Sequence, residues 1–307
     1  MSLALLVIQF VNGLQFGFML FLIAAGLTLV FGILDFANLA HGAFFMLGAY
    51  FAASIFNTTE SYVLAIAVAT LGTGLTGVLL DRTLFRFFYG EDHLTHFLLT
   101  LGLILIAGEA VRIIWGTFAL SMEIPDFLQG IVVLPGNIVL PKAGVLITLA
   151  AAVIAACLFF VIQKTRIGML VRAAAEDREM VMALGVNVRM LYLCVVGVGS
   201  ALAGLAGALI APLSTVESGM GDRVIILTFV VVIIGGMGSI KGAFVAAILV
   251  GIIDTVGRTT LPIGLNYIVD PQLAAAAGPS IASVVVYVTM AIILFAMPQG
   301  LIPAKGR

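Results

Sequence analysis

Charged residues are scarce in this sequence: Asp, Glu, Lys and Arg make up only 9% of its 307 residues. An ordinary soluble domain carries roughly 25% charged residues, whereas here 63% of the residues are hydrophobic and the mean hydropathy is +1.26. The formal net charge is −1, so no strong basic or acidic field favours a nucleic-acid partner. These values predict a polytopic membrane protein surrounded by a lipid bilayer.

Cysteines and catalytic motifs are scarce too. Cys157 and Cys194 stand in apolar runs, where packing is favoured over a disulfide or a metal site. The glycine-rich stretch 235–242 fails as a Walker A loop, which needs a lysine directly after its last glycine, because Lys241 follows an isoleucine. The paired histidines of HLTH at 93–96 rarely make a site alone. We therefore expect no catalytic residue, metal or cofactor in this chain.

Long apolar stretches predict the fold. A helix needs about 20 apolar residues to cross ~30 Å of hydrocarbon, and eight stretches approach or exceed that length: 3–31, 38–56, 62–80, 95–114, 143–163, 190–211, 224–256 and 280–297. The stretch 224–256 is too long for one straight span, so we expect it to turn back at its glycines. The sequence predicts an all-α transmembrane bundle of nine spans with broken helices, with eight or ten as alternatives.

Basic residues between these stretches predict the orientation. Segment 81–94 carries two arginines and segment 164–189 carries five Lys or Arg residues, whereas segments 57–61 and 115–141 carry none. Positively charged loops tend to stay in the cytosol. We therefore expect the first two segments inside the cell and the last two outside, with the N-terminus outside and the tail AKGR inside.

A polar cluster, DFANLAHG at 35–42, follows the first apolar stretch. Buried polar groups are costly in a bilayer, so such a cluster lies at a membrane boundary or faces water. In one interpretation Asp35 and Asn38 are turn and N-cap residues near the cytosolic surface, and His41 begins the next helix. In the other, a break between helices directs Asn38 and His41 at a translocation path. Both interpretations remain open.

Segment 164–189 has the composition of a short helix between two spans. It is rich in Ala, Met, Leu, Glu and Arg, Arg172 and Glu176 are four residues apart, and Gly185 and Asn187 stand where the helix should end. A solvated connector is the simpler explanation. Three successive alanines, however, let another surface approach closely, and this favours a helix that docks on a partner.

Other polar residues within the apolar stretches favour structural roles. Asn12 and Gln15 are typical of groups that hold membrane helices together. Glu109 and Arg112 are three residues apart near the outer boundary, where pairing on one helix face is the leading explanation. Asp254 and Arg258, four residues apart, have the same explanation.

Four stretches carry a family resemblance. The sequences at 26–50, 165–188, 235–252 and 297–301 resemble, in this order, the permease subunits of ABC importers for branched-chain amino acids. The similarity covers nearly the whole chain and is greatest to the shorter of the two paired permeases, whose Asn-x-Ala-His-Gly stretch is matched from Asn38 to Gly42. The resemblance implies a single permease domain over 1–307 in the inner membrane of a bacterium or archaeon.

The resemblance also implies partners and residue roles. The expected partners are a second permease subunit, two cytosolic ABC ATPases and an extracytoplasmic solute-binding protein, and ATP hydrolysis would take place on the ATPases. Segment 164–189 would couple the ATPases to the membrane helices, through Gly168, Arg172, Ala175, Glu176, Asp177, Ala183, Gly185 and Asn187. The expected substrate path contains Asn38, His41, Gly42, Gly235, Gly236 and Gly238.

Two other classes of protein compete with a permease of this kind. An ion-coupled secondary transporter would also have broken helices, but it would carry carboxylates in mid-membrane, and the acids here cluster at the ends of the apolar stretches. A membrane enzyme would need a nucleophile beside a base, and His41 has no convincing partner. The sequence favours the importer subunit and does not identify its solute.

Overall fold

The computed structural model describes residues 3–134 and 138–303, which form a helical bundle. The helices are α1 Leu3–Leu34, α2 His41–Thr59, α3 Tyr62–Thr83, α4 His93–Trp115, α5 Lys142–Lys164, α6 Arg166–Glu176, α7 Arg178–Ala183, α8 Val188–Ile210, α9 Met220–Gly235, α10 Ile240–Leu265 and α11 Pro271–Ala296. Two short strands, β1 Ile131–Leu134 and β2 Ile138–Pro141, form an antiparallel hairpin between α4 and α5. The tail at 304–307, whose side of the membrane the sequence predicts, lies outside the described residues.

The predicted fold class is confirmed. In the described part of the chain, seven helices are long and apolar enough to cross a membrane, namely α1, α3, α4, α5, α8, α10 and α11. Two further apolar helices are shorter: α2 has 19 residues and α9 has 16. Among the described residues, the nine predicted spans thus correspond to these seven helices and the two shorter ones. The predicted break at the glycines is also present, because α9 ends at Gly235 and α10 begins at Ile240.

The predicted limits of the last two spans are wrong. Helix α10 continues to Leu265 rather than ending at 256, and α11 begins at Pro271 rather than at 280. The start of α11 is set locally: Asp270 accepts a hydrogen bond of 2.8 Å from the amide of Gln272, and proline at the first helical position needs no donor. The alanines that follow are good helix formers but only moderately apolar, so a hydropathy criterion misses them.

Helix α1 forms the centre of the bundle. Its most apolar window is 83% buried, and it packs against α5, α8, α9 and α10. Close approach depends on small residues: a β-carbon on Gly26 would lie 2.5 Å from the carbonyl oxygen of Gly199 in α8. Membrane helices associate through such small-residue contacts because lipid provides no hydrophobic driving force between them.

The helix ends define two ends of the bundle, called the inner and outer ends after the orientation that the sequence predicts. At the inner end, Asp35 after α1 lies 3.8 Å from His93 of α4, and the ring of Tyr89 lies 5.6 Å from that of Tyr192 at the start of α8. At the outer end, the indole of Trp115 donates a hydrogen bond of 2.5 Å to Ser54 near the end of α2. The predicted cytosolic segments 81–94 and 164–189 are thus at the inner end. The predicted external segments are at the other.

Candidate functional site

The helix break at 35–40 carries the first predicted site. Helix α1 ends at Leu34, and Asp35, with a positive φ of 51°, redirects the chain at the inner end. Six residues later His41 begins α2 deep in the bundle: a β-carbon on Gly199, in the middle of α8, would lie 3.2 Å from its Nε2 atom. The chain therefore re-enters the bundle through the break, and only Asp35 lies at the inner surface.

Hydrogen bonds to α4 hold the break in place. The backbone amide of Leu39 donates to the hydroxyl of Thr100 at 3.1 Å, and that hydroxyl donates to the carbonyl of His96 at 2.8 Å. The side-chain oxygen of Asn38 accepts from the amide of Ala40 at 2.9 Å, a turn rather than the predicted N-cap contact. Sequence reasoning missed Thr100, whose role depends on a contact 61 residues away in the chain.

Asn38 and His41 are fully buried and incompletely hydrogen bonded. Both have 0% exposure, and the amide nitrogen of Asn38 and both ring nitrogens of His41 make no hydrogen bond to any described residue. A buried polar atom without a partner costs about 1–3 kcal/mol, unless water or a ligand satisfies it. These three polar atoms lie at a helix break in the middle of the bundle.

The predicted path glycines fall into two places. Gly42 lies beside His41 and packs on α9, where a β-carbon on Gly42 would lie 2.6 Å from the carbonyl oxygen of Gly221. Gly235, Gly236 and Gly238 instead form the turn between α9 and α10 at the inner end, near Gly32 of α1. The structure does not bring these three glycines together with Asn38 and His41.

The α9–α10 turn is covered by the C-terminal segment 297–303. The amides of Leu301 and Ile302 donate to the carbonyls of Ile234 and Gly235 at 2.8 and 3.2 Å. Gly236 has a positive φ of 101° and packs against this segment. Two of the four stretches that resemble the family, 235–252 and 297–301, are therefore in direct contact.

The predicted coupling helix is two helices. Helix α6 ends at Glu176, and the side chain of Asp177 accepts from the amide of Met180 at 2.9 Å, which starts α7. The expected pair between Arg172 and Glu176 does not form: the guanidinium of Arg172 donates to the carbonyl of Ile162 at the end of α5. The prediction was wrong because aspartate competes for helix N-caps and the free carbonyls of α5 compete for the arginine.

The remaining predicted coupling residues divide by exposure. Gly168 is buried where α6 turns away from α5, and a β-carbon there would overlap the carbonyl of Ile162. The others are exposed: Arg172, Ala175, Glu176, Asp177, Ala183, Gly185 and Asn187. Gly185 has a positive φ of 83°, as expected for a glycine that ends a helix, and the side chain of Asn187 caps α8 by accepting from Met190 at 3.1 Å.

An apolar surface accompanies these polar residues. Large side chains on α6, α7 and the turn after it are exposed, namely Ile167, Met169, Leu170, Met180, Met182 and Leu184. Ala174 and Val181 are buried and anchor the two helices to the bundle. Sequence reasoning missed this surface because it depends on which face of each helix the anchors cover. Flexible methionines suit a surface that packs against a partner.

A valine at position 100 tests the contact that holds the break. Thr100→Val keeps the shape of the side chain but leaves the amide of Leu39 unpaired, so we expect a loss of about 1–3 kcal/mol of stability. The measurement is thermal unfolding of the purified protein in detergent. Thr83→Val is the control, because its exposed hydroxyl bonds only to Leu79 of its own helix. Equal melting temperatures of the two variants would show that Thr100 does not hold the break.

Comparisons with known proteins agree on one family. The family model for the permease component of branched-chain amino acid transport systems matches residues 9–294. The high-affinity branched-chain amino acid transport permease BraD of Pseudomonas aeruginosa is 29% identical over 269 residues, which cover 81% of this chain and 85% of BraD. LivH of Escherichia coli K12, a permease of the same description, is 26% identical, and the match covers 82% of this chain and 86% of LivH.

A shorter match reaches an archaeal protein. The probable branched-chain amino acid transport permease LivH of Methanocaldococcus jannaschii is 31% identical over 98 residues, which is 32% of this chain and 31% of that protein. No solved structure matches this chain. Among the described residues, no group of three or more His, Cys, Asp or Glu side chains could hold a metal ion. The chain is a multi-pass membrane protein and belongs to the family of permease components of branched-chain amino acid transport systems.

Proposed function

We propose that this chain forms the translocation path for a branched-chain amino acid, or a similar small polar solute, in a binding-protein-dependent ABC importer. The cytoplasmic membrane of a bacterium or archaeon is its proposed location. Its proposed partners are a second permease subunit, two cytosolic ATPases that hydrolyse ATP, and an extracytoplasmic solute-binding protein. Family membership over residues 9–294 is the observation that carries this proposal. In this proposal the ATPase subunits supply the energy, in keeping with the lack of a Walker A loop in this sequence.

The helix break supports a role for Asn38 and His41 in the path. A path for a polar solute needs polar groups at depth, and non-helical backbone at that depth is tolerated only where protein or water covers it. The unsatisfied amide nitrogen of Asn38 and imidazole nitrogens of His41 provide polar groups at depth, and the non-helical backbone of the break is covered by protein. In this proposal the break opens to water during the transport cycle, and α1 and α2 move apart around Thr100. Gly42 keeps α2 close enough to α9 for a small shift to expose the path.

The inner end supports a role for α6 and α7 in coupling. These helices present exposed apolar side chains beside exposed charges, and they are anchored to the bundle because α6 contacts α1 and α5, and α7 contacts α8. A rigid-body movement of an ATPase that holds this surface would pass to α1, which α6 contacts. Because α1 leads into the break, the coupling segment is connected to the proposed path.

Uptake in the native transporter tests the proposed function. Cells that lack this chain should lose binding-protein-dependent uptake of labelled leucine, isoleucine or valine, and the chain expressed from a plasmid should restore it. We expect no restoration when the Walker lysine of the partner ATPase is replaced. Uptake that persists in that ATPase variant and follows the proton gradient would instead favour an ion-coupled secondary transporter.

A further inference from the structure

We propose that five charged residues near the outer end bind the zwitterionic head group of an amino acid before it enters the path. This outer charge cluster consists of Glu109, Arg112, Glu217, Asp222 and Arg223. The inference rests on the proposed function, which supplies the class of solute, but the site is located by geometry alone.

Helix α9 begins inside the bundle rather than at its surface. A β-carbon on Gly221 would lie 2.5 Å from the carbonyl oxygen of Gly42, in the first turn of α2. Farther along α2, Gly48 packs on Gly204 of α8, and six more residues, about 9 Å, lead from there to the outer end of α8 at Ile210. Gly42 lies deeper along α2 than Gly48, so Asp222 and Arg223, next to Gly221, lie at least about 9 Å inside the outer end of α8.

Polar contacts join the start of α9 to the outer part of α4. The guanidinium of Arg112 lies 2.7 Å from the carboxylate of Glu109 and donates to the hydroxyl of Ser218 at 3.0 Å. Arg223 forms an ion pair with Glu217 across the turn that precedes α9. Asp222 lies within range of the charges of Arg112 and Arg223 and makes no ion pair with a described residue. Two cations and three anions thus occupy one region.

The charged side chains of this cluster are exposed although they lie inside the outer end of α8, where contact with lipid would be unfavourable for a charge. The ion-paired side chains are 44–67% exposed in the isolated chain. Charged side chains inside a membrane almost always face a water-filled cavity or the interior of an assembly. Exposed ion pairs also contribute little to stability, so a purely structural role leaves their clustering unexplained. The region above the contact between Gly42 and Gly221 is therefore best assigned to an aqueous vestibule.

The composition of the cluster fits a zwitterion. A guanidinium can bind a carboxylate through two parallel hydrogen bonds, and Arg112 and Arg223 each retain donors beyond those in their present contacts. The carboxylates can accept from an ammonium group. The ring of Trp115 lies 5.2 Å from that of Tyr50, whose hydroxyl is within range of the charges of Glu217 and Arg112, and this pair offers an apolar surface nearby. Below the cluster, α2 leads to His41.

Coupled transport measurements test the cluster. The complete transporter, with both permeases, its ATPases and its binding protein, is reconstituted in vesicles, and leucine uptake and ATP hydrolysis are measured together at saturating leucine-loaded binding protein. We expect Arg112→Gln and Arg223→Gln each to lower uptake about tenfold or more, the effect of losing a charge-assisted hydrogen bond. Asp222→Asn should lower uptake in the same direction. Hydrolysis should stay close to that of the parent protein, because the loaded binding protein still docks.

A matched variant and the other outcomes make the result decisive. Arg82→Gln on α3 makes the same chemical change at an exposed arginine near the opposite end of the bundle, and it should leave uptake unchanged. Unchanged uptake in the cluster variants would overturn the proposal. A parallel loss of uptake and hydrolysis would also overturn it, because it assigns the cluster to folding or to docking of the binding protein. A parent complex that takes up neither leucine, isoleucine or valine nor another small polar solute carried by its binding protein would instead contradict the proposed function itself.

Discussion

Replacing Gly48 with valine should remove most of the folded protein from the membrane. A β-carbon at this position would overlap the backbone of Gly204, because α2 and α8 are in direct backbone contact there. Backbone cannot move aside as a flexible side chain can, so the helices must separate along a contact that extends to Gly207 and Phe45. We expect a loss of about 3 kcal/mol or more, at the upper end of the range for overpacking. Membrane abundance and the monodisperse fraction on size-exclusion chromatography measure it.

Gly102→Val is the matched control for this prediction. Gly102 is also in the interior of a transmembrane helix, α4, but a β-carbon there has no neighbour within 4 Å. This variant should keep normal abundance, since only a small difference in helix propensity applies. If Gly48→Val accumulates as well as Gly102→Val, the close contact between α2 and α8 does not exist in the folded protein.

The sequence predicted the helices better than their meeting points. Apolar length and the glycine interruption were enough to predict the turn between α9 and α10 and the spans other than the last two, because the bilayer itself sets helix length. The contact between Gly48 and Gly204 joins positions 156 apart, and glycines are frequent throughout the chain, so no local pattern selects this pair. Only the packed structure distinguishes it from the unobstructed Gly102.

The candidate sites show the same division. The polarity of DFANLAHG was sufficient to identify the break, but its depth depends on Thr100 and Gly199, which belong to other helices. The sequence also treated Glu109 and Arg112 as a local pair on one helix. They belong to the outer charge cluster because Arg112 donates a hydrogen bond to Ser218 and because α9 begins inside the bundle. Both features involve residues that are distant in sequence. Local chemistry is readable from a sequence, whereas the assembly of a site from several helices is not.

Two substitutions in the coupling segment should abolish uptake without reducing the amount of protein. Glu176→Lys reverses a charge on the exposed surface of α6 and breaks no ion pair among the described residues, since Arg172 bonds to Ile162 instead. Gly185→Val forces a β-branched residue into a positive φ of 83°, which costs about 1–3 kcal/mol locally and shifts the end of α7. If α6 and α7 dock on an ATPase, each change should weaken that association about tenfold or more.

Copurification of the ATPases with the tagged permease, together with leucine uptake, measures this effect. The controls repeat both chemical changes at the outer end, away from the expected ATPase: Glu123→Lys reverses another exposed charge, and Gly130→Val places valine at a positive φ of 103° in equally open space. The controls should retain the ATPases. Gly130→Val carries a comparable backbone strain. If Gly185→Val loses the ATPases and Gly130→Val keeps them, the loss arises from the altered surface of the coupling segment and not from strain in general. Full ATPase association and full uptake in both coupling variants would show that segment 164–189 is only a solvated connector between two spans.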